Sequence, residues 1–496
     1  MVTIGFDKQC ITPKLPAPLR GYAAKRIAKE VHDDLFARCL AMEQDGVRYL
    51  FVQCDLIGID DSVLNKTLEK LKDCNIEKEH LTIVATHTHA GPGGTVDTSK
   101  DPFANLQSIF GAPDPEYLDF LTEQIALAAH NSFSDLQSCT LTIGRGSIQQ
   151  VGTERHDPAL PGDDSLLVLL FERSDHKRLL LYNYACHPTV TGPENLMITA
   201  DFPYAVARDL NYDLVMFVNG NAGNISTRFT RKSSGFEQVE LYKDSIINAV
   251  VDALKTPVYH GSFDYVSMKR YPITLPIKKV RPVEEEKASL AAYEDQLARA
   301  TLEEKDPLTL RLLATYVEGG KIAVGLSETL QGLSDIDAHF TILQLQNLSI
   351  AVVPGELFST LGVPLKEKGI EIFGYGNGYY LYIADEKSYD EMVYEGVVNG
   401  KAMSANVHWL SIVYKISLDA NGGTCSETLR EIPYEYTYQG KPLSGGGFGY
   451  GDLPTPTRSG YTFNGWFTDP VAGTQVLSTD LIGTSDIVLH AHWTKN

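Results

Sequence analysis

The sequence predicts a mixed α/β fold over residues 1–410, followed by a small β-rich module over residues 411–496. Two observations predict the first part. Short apolar runs of strand length alternate with amphipathic stretches of helical length. Each run ends in glycine, proline or a polar residue, where a strand gives way to a loop. A third observation separates the second part: after Trp409 the text turns to short alternating runs broken by Asn421-Gly422-Gly423, Pro454, Pro456 and Gly460.

Taken in order, residues 49–54 read as a strand and residues 61–72 as a helix. The Leu81-Thr82-Ile83-Val84-Ala85 run is a buried strand that stops at Thr86-His87-Thr88-His89-Ala90-Gly91-Pro92-Gly93-Gly94. Residues 115–129 are helical by spacing. Strands at 179–184 and 214–218 run into Cys186-His187-Pro188-Thr189 and Asn219-Gly220-Asn221-Ala222-Gly223-Asn224-Ile225-Ser226. Residues 284–316, rich in Glu, Ala, Leu and Lys, read as a solvated helical pair broken at Pro307. Strands at 348–353 and 370–375 then lead to Pro354-Gly355-Glu356 and to Asn377, Tyr379, Tyr380 and Tyr382.

Composition narrows the function classes. With 43 basic and 63 acidic residues the formal net charge is −20, which argues against binding nucleic acid or an anionic membrane through bulk charge. No apolar run approaches the ~20 residues of a membrane-spanning helix. The first residues show neither the basic start nor the apolar stretch of a signal peptide. The seven cysteines are scattered without a Cys-x-x-Cys pair, which points away from a zinc cluster of paired thiolates and from a disulfide framework.

Five strands that end in His, His, Ser, Glu and Tyr suggest a site assembled at one edge of a sheet, because ligands of α/β proteins bind beyond the carboxyl ends of strands. Two histidines and a carboxylate form a suitable set for a catalytic Zn²⁺ that keeps one position for water. Such an ion lowers the pKa of its water from ~15.7 towards ~7 and polarises a carbonyl. No His-Glu-x-x-His helix motif occurs, so the fold itself must bring His87, His187 and Glu356 together.

These segments resemble the neutral/alkaline (non-lysosomal) ceramidases, zinc-dependent amidases that cleave the N-acyl bond of ceramide. Residues 86–94 look like that family's zinc loop, with Ala90 where serine is usual. Cys186-His187-Pro188-Thr189, Pro354-Gly355-Glu356 and Asn377-Gly378-Tyr379-Tyr380-Leu381-Tyr382-Ile383 are similar to its other ligand segments. The resemblance extends to Tyr389 and Tyr394-Glu395-Gly396, to Ile11-Thr12-Pro13, to Gly21-Tyr22-Ala23 and to Asp55. It implies zinc held by His87, His187, Glu356 and Tyr382. Ser226 is implied in the active site, as acyl-accepting nucleophile or as a group that positions the attacking hydroxide. His89 faces substrate or supports a ligand, and Arg155 binds a substrate oxygen unless it forms a surface salt bridge. Asp55 is placed to orient a zinc histidine. Two further residues depart from the family pattern: Asn224 stands where it carries an acid, and Thr227 where it carries proline.

Residues from Tyr414 onward resemble a Listeria–Bacteroides repeat, through Asn421-Gly422-Gly423, Gly460-Tyr461-Thr462-Phe463-Asn464-Gly465-Trp466 and the terminal His492-Trp493. This implies a β-grasp-like module of the kind found in bacterial surface proteins, with cell-surface contacts as its role. It stands where ceramidases carry an immunoglobulin-like domain. His490 and His492 lack nearby ligand partners and read as structural.

The sequence therefore predicts a zinc amidohydrolase acting on ceramide-like lipids by metal-activated water. Its rivals are a hydrolase of the same fold acting on another N-acyl amide or ester, and an inactive surface-binding protein. For the compartment, the missing signal peptide points inward and the repeat points outward.

Overall fold

The computed structural model describes residues 1–22, 25–97, 111–275, 281–305, 307–329, 336–385, 413–433, 453–477 and 487–496. The chain divides into two compact units, Met1–Val407 and His408–Asn496.

The first unit is mixed α/β. Its larger sheet contains β1 (Thr3–Cys10), β2 (Phe36–Gln44), β3 (Val47–Cys54), β4 (Leu81–Ala85), β5 (Gln137–Ser147), β6 (Ser165–Arg173), β7 (Arg178–Tyr184), β8 (Leu214–Asn219) and β9 (Tyr259–Ser262). The spatial order is β8-β7-β6-β5-β1-β2-β3-β4, with β9 also paired to β5. The middle of the sheet is antiparallel and both flanks are parallel: β3 with β4, and β7 with β8. Leu81–Ala85 is buried at every position, as expected of a parallel strand covered on both faces.

A second sheet, ordered β10-β11-β12-β13, contains β10 (Val266–Leu275), β11 (Ile336–Leu345), β12 (Leu348–Val352) and β13 (Ile370–Phe373). It too becomes parallel at its edge, where β12 pairs with β13. One apolar cluster joins the two sheets. It includes Ile4, Phe51, Val84, Leu169 and Met216 from the larger sheet with Met268, Leu343, Ile350 and Phe373 from the smaller. Side chains outside that cluster stitch the same seam. Asn377 accepts from the Ile83 amide at 2.8 Å and donates to the Leu81 carbonyl at 3.1 Å and to Thr341 Oγ1 at 3.0 Å.

The helices are α1 (Asp61–Lys70), α2 (Pro115–Ser134), α3 (Phe202–Asp209), α4 (Phe236–Lys255), α5 (Val283–Leu302), α6 (Pro307–Thr329) and α7 (Ser359–Lys366). Their starts follow local chemistry. Asp60, Asp114 and Asp201 cap α1, α2 and α3 by accepting from backbone amides, and proline opens α2 where no amide partner is needed. The predicted helical pair divides as expected, with α6 starting at Pro307.

In the second unit, β14 (Val413–Asp419), β15 (Leu429–Pro433), β16 (Tyr461–Phe467), β17 (Gln475–Val476) and β18 (Ile487–Lys495) form one sheet in the order β15-β14-β18-β16-β17. Trp466, Ile416, Leu418, Leu489 and Ala491 form its core, and the Trp466 indole donates to the Pro454 carbonyl at 2.9 Å. His490 faces Asp419 at 3.0 Å, and His492 contacts the Asp469 carbonyl at 2.7 Å while stacking on Phe467.

Candidate metal centre

Three strand ends meet at the seam of the two sheets. His87 follows β4, His187 follows β7 and Glu356 follows β12, each beyond the carboxyl end of a strand with a parallel neighbour. All three are at most 2% exposed. His87 Nε2 lies 3.4 Å from Glu356 Oε2, and His187 Nε2 lies 3.1 Å from the same oxygen. His89 Nε2 lies 3.0 Å from His87 Nε2, and the ligand atoms of His87, His89 and His187 all fall within 4.8 Å of one another.

Backbone carbonyls orient the rings. His87 Nδ1 donates to the Ile57 carbonyl at 2.6 Å, and His187 Nδ1 donates to the Ile225 carbonyl at 3.0 Å. Both Nε2 atoms therefore present lone pairs to the centre, beside the carboxylate. Burial pushes the His87 imidazole down to about 4, against the opposing pull of the Glu356 charge. His89 is also held well below the ordinary range, by burial and then by its histidine neighbours. Glu356 Oε2 is buried and accepts no hydrogen bond among the described residues. Two imidazole Nε2 atoms and a carboxylate oxygen without a hydrogen bond face one point, a donor set that suits an ion such as Zn²⁺.

The surroundings fix this geometry. The Tyr379 hydroxyl donates to Glu356 Oε1, which turns Oε2 towards the histidines. Tyr375 stacks on His87 with ring centroids 4.4 Å apart, and burial raises the phenols of Tyr375 and Tyr379 so that both keep their protons. Gly21 (φ 100°) leaves room for His89, since a Cβ there would sit 2.5 Å from the imidazole Cγ. Arg26 Nη2 donates to the His89 carbonyl at 2.6 Å.

The other predicted residues lie around this centre. Arg155 is 6% exposed, which rules out the surface salt bridge; its Nη1 is 3.4 Å from His187 Nε2 and its guanidinium lies over the Tyr382 ring. Ser226 is buried in a two-residue strand paired with Thr153, and its Oγ accepts from the Arg228 amide at 3.3 Å. The same loop anchors His187 through Ile225. Tyr382 sits opposite Glu356 in the short parallel pair Glu356–Leu357 with Tyr382–Ile383, but the tyrosine hydrogen-bonded to the carboxylate is Tyr379. Asp55 does not orient a histidine. Its carboxylate accepts from the Phe36 amide, Arg38 and Gln53, and a carbonyl takes the expected role at His87. Ala23, Tyr389, Tyr394, Glu395, Gly396 and Trp409 lie outside the described residues.

Several groups here carried no sequence signal. The carbonyls of Ile57 and Ile225 have no side-chain signature, and Tyr375 and Tyr379 are distinguished from their neighbours only by the fold. A tyrosine directly after a strand end was the one available hint for Tyr375.

Comparison with known proteins agrees with the motifs. Residues 3–210 match the family model for the neutral/alkaline non-lysosomal ceramidase N-terminal region, a span that includes His87, His89, Arg155 and His187. Residues 414–492 match that of the Listeria-Bacteroides repeat domain. The chain is similar to neutral ceramidase 2 of Arabidopsis thaliana, 27% identical over 245 residues, or 45% of this chain and 31% of that protein. It is also similar to the neutral ceramidase of Oryza sativa subsp. japonica, 26% identical over 225 residues, or 41% of this chain and 28% of that protein. It thus spans less than a third of the length of these curated relatives. Among solved structures, a ceramidase complexed with C2 superposes with a TM-score of 0.61 at 16% identity, over 81% of this chain and 72% of the other. The neutral ceramidase from Pseudomonas aeruginosa superposes with a TM-score of 0.60 at 17% identity, over 80% and 71%. The fold is that of the neutral ceramidases, residues 3–210 match the model of the neutral/alkaline non-lysosomal ceramidase N-terminal region, and residues 414–492 match that of the Listeria-Bacteroides repeat domain.

Proposed function

We propose that this protein is a zinc-dependent amidohydrolase that cleaves the N-acyl amide of ceramide-like lipids. The observation that carries the reading is the buried convergence of His87 Nε2, His187 Nε2 and Glu356 Oε2, with Arg155 beside them. The names of the similar proteins support the substrate class.

His87, His187 and Glu356 would hold the ion, with Tyr382 as the fourth protein group. A bound zinc supplies Lewis acidity and a water that ionises near neutral pH. The chain's own groups do the rest. The Arg155 guanidinium offers positive charge to the amide oxygen as it gains negative charge. His89, held neutral by burial, accepts the proton released by the nucleophile and returns it to the leaving nitrogen. The same burial excludes bulk water, so these charges act in a low-dielectric setting. Ser226 either accepts the acyl group or orients the attacking oxygen.

The test is metal content and hydrolysis measured together, on the wild-type protein and on His87→Ala, with a fluorescent short-chain ceramide. A zinc content that falls by about one per chain in the variant, together with activity, supports the reading. Zinc without ceramide turnover, but with cleavage of other N-acyl amides, transfers the site to a different substrate. No zinc after reconstitution removes the hydrolase reading and leaves a binding protein.

A further inference from the structure

A second group of metal-ligating side chains comes together among the described residues: Asp73, Cys74 and His130, whose ligand atoms lie within 4.8 Å of one another. The group sits where the turn after α1 meets α2. Two ion pairs, Lys66 with Asp119 and Lys70 with Glu123, link these helices further along. At the third rung the pattern reverses: the acid, Asp73, comes from the α1 side and the cationic partner, His130, from α2, and a thiol joins.

The histidine is oriented as metal ligands are. His130 Nδ1 donates to the Ala126 carbonyl at 2.7 Å, which sets the tautomer and leaves the Nε2 lone pair facing Asp73, 3.0 and 3.1 Å from its two oxygens. A lone pair so close to a carboxylate needs a cation, either a proton on the ring or a metal ion. Cys74 is 4% exposed and closes a short 3₁₀ turn, Lys72–Cys74, while Asp73 is exposed. The thiol thus forms the floor and the carboxylate, held by His130, the solvent side. Nitrogen, oxygen and sulfur donors together favour a borderline ion such as Zn²⁺ over Mg²⁺ or Ca²⁺.

We propose that Asp73, Cys74 and His130 form a peripheral site for a zinc-like divalent cation, completed by water, that clamps the end of α1 to α2. Binding releases the Cys74 thiol proton and the His130 Nε2 proton of the metal-free ion pair to solvent. The proposal is independent of the catalytic reading, because none of its ligands belongs to the histidine centre.

Cobalt(II) titration of the full chain, stripped of metal, tests it, because thiolate coordination gives cobalt a near-ultraviolet charge-transfer band. The expected result is a band in the wild type that survives His87→Ala and disappears in Cys74→Ser. Asp73→Asn, a near-isosteric change at an exposed position, and His130→Ala should each weaken cobalt binding about tenfold or more. A wild-type protein without the band at excess cobalt, or a band that persists in Cys74→Ser, overturns the proposal. So does unchanged affinity in Asp73→Asn and His130→Ala, which would leave Asp73 and His130 a plain ion pair.

Discussion

His87 adopts a left-handed backbone conformation (φ 70°), unusual for a residue with a Cβ. Tyr375, Asn377 and Leu381, which pack around the same centre, do so as well (φ 59°, 53° and 62°). Each such residue costs ~1–3 kcal/mol and persists only where the surroundings enforce it. Tyr379 belongs to that enforcement. Tyr379→Phe removes the donor to Glu356 Oε1, and zinc affinity should fall about 10- to 100-fold, read by competition with a chelating dye, while circular dichroism stays unchanged. Stability of the metal-free protein should also depend on pH through His87. Its folded pKa of about 4 lies below the ordinary 6.5, so between these values the unfolded chain binds the extra proton. That contribution is complete above pH 6.5 and shrinks as pH falls towards 4. Thermal unfolding of the metal-free protein should show a loss over that window, reduced in His87→Gln. Of these residues, His87, His187 and Glu356 could be read from the sequence because each ends an apolar strand run. Tyr379 could not, because its role depends on which of several adjacent tyrosines a positive-φ turn delivers to the carboxylate.

At the level of elements, the loop after β8 does two jobs. Ile225 holds His187, and Asn224 ties the loop to the start of α7: its Oδ1 accepts from the Ser359 amide at 2.8 Å and its Nδ2 donates to Ser359 Oγ at 3.1 Å. Asn224→Ala leaves a buried amide unsatisfied and should cost ~1–3 kcal/mol, measured by chemical denaturation. Gly223 lets the two loops touch, because a Cβ there would lie 2.4 Å from the Glu356 carbonyl oxygen. Gly223→Ala should therefore cost ~1–3 kcal/mol of stability and displace Glu356, seen as reduced zinc occupancy. The strands and most helices around these loops followed from apolar periodicity and capping aspartates. The short pairings Thr153–Glu154 with Ile225–Ser226 and Glu356–Leu357 with Tyr382–Ile383 did not. Two-residue strands carry no period, and only the docking of the two sheets creates them.

For the whole molecule, the two compact units each have their own apolar core, the second built around Trp466. A chain ending at residue 410 should retain wild-type zinc content and turnover per molecule; a loss of either would tie the repeat to the chemistry. The change of composition after Trp409 lies close to this division, but nothing in the sequence shows that the first unit is two sheets joined by one apolar cluster. Buried strands of both sheets read alike, and pairing partners far apart in the chain leave no local trace.

The seam has a consequence for biosynthesis. His187 and Glu356 follow His87 by roughly a hundred and roughly two hundred and seventy residues, so an ion bound by all three closes two very long loops. A ribosome-bound chain that has emerged only through His187 can offer two imidazoles and no carboxylate. Full-strength capture must wait until the second sheet has been synthesised and docked. On the proposed reading, metal loading would act as a checkpoint on complete assembly, and truncated or misdocked chains should leave the ribosome with only a weak grip on the ion.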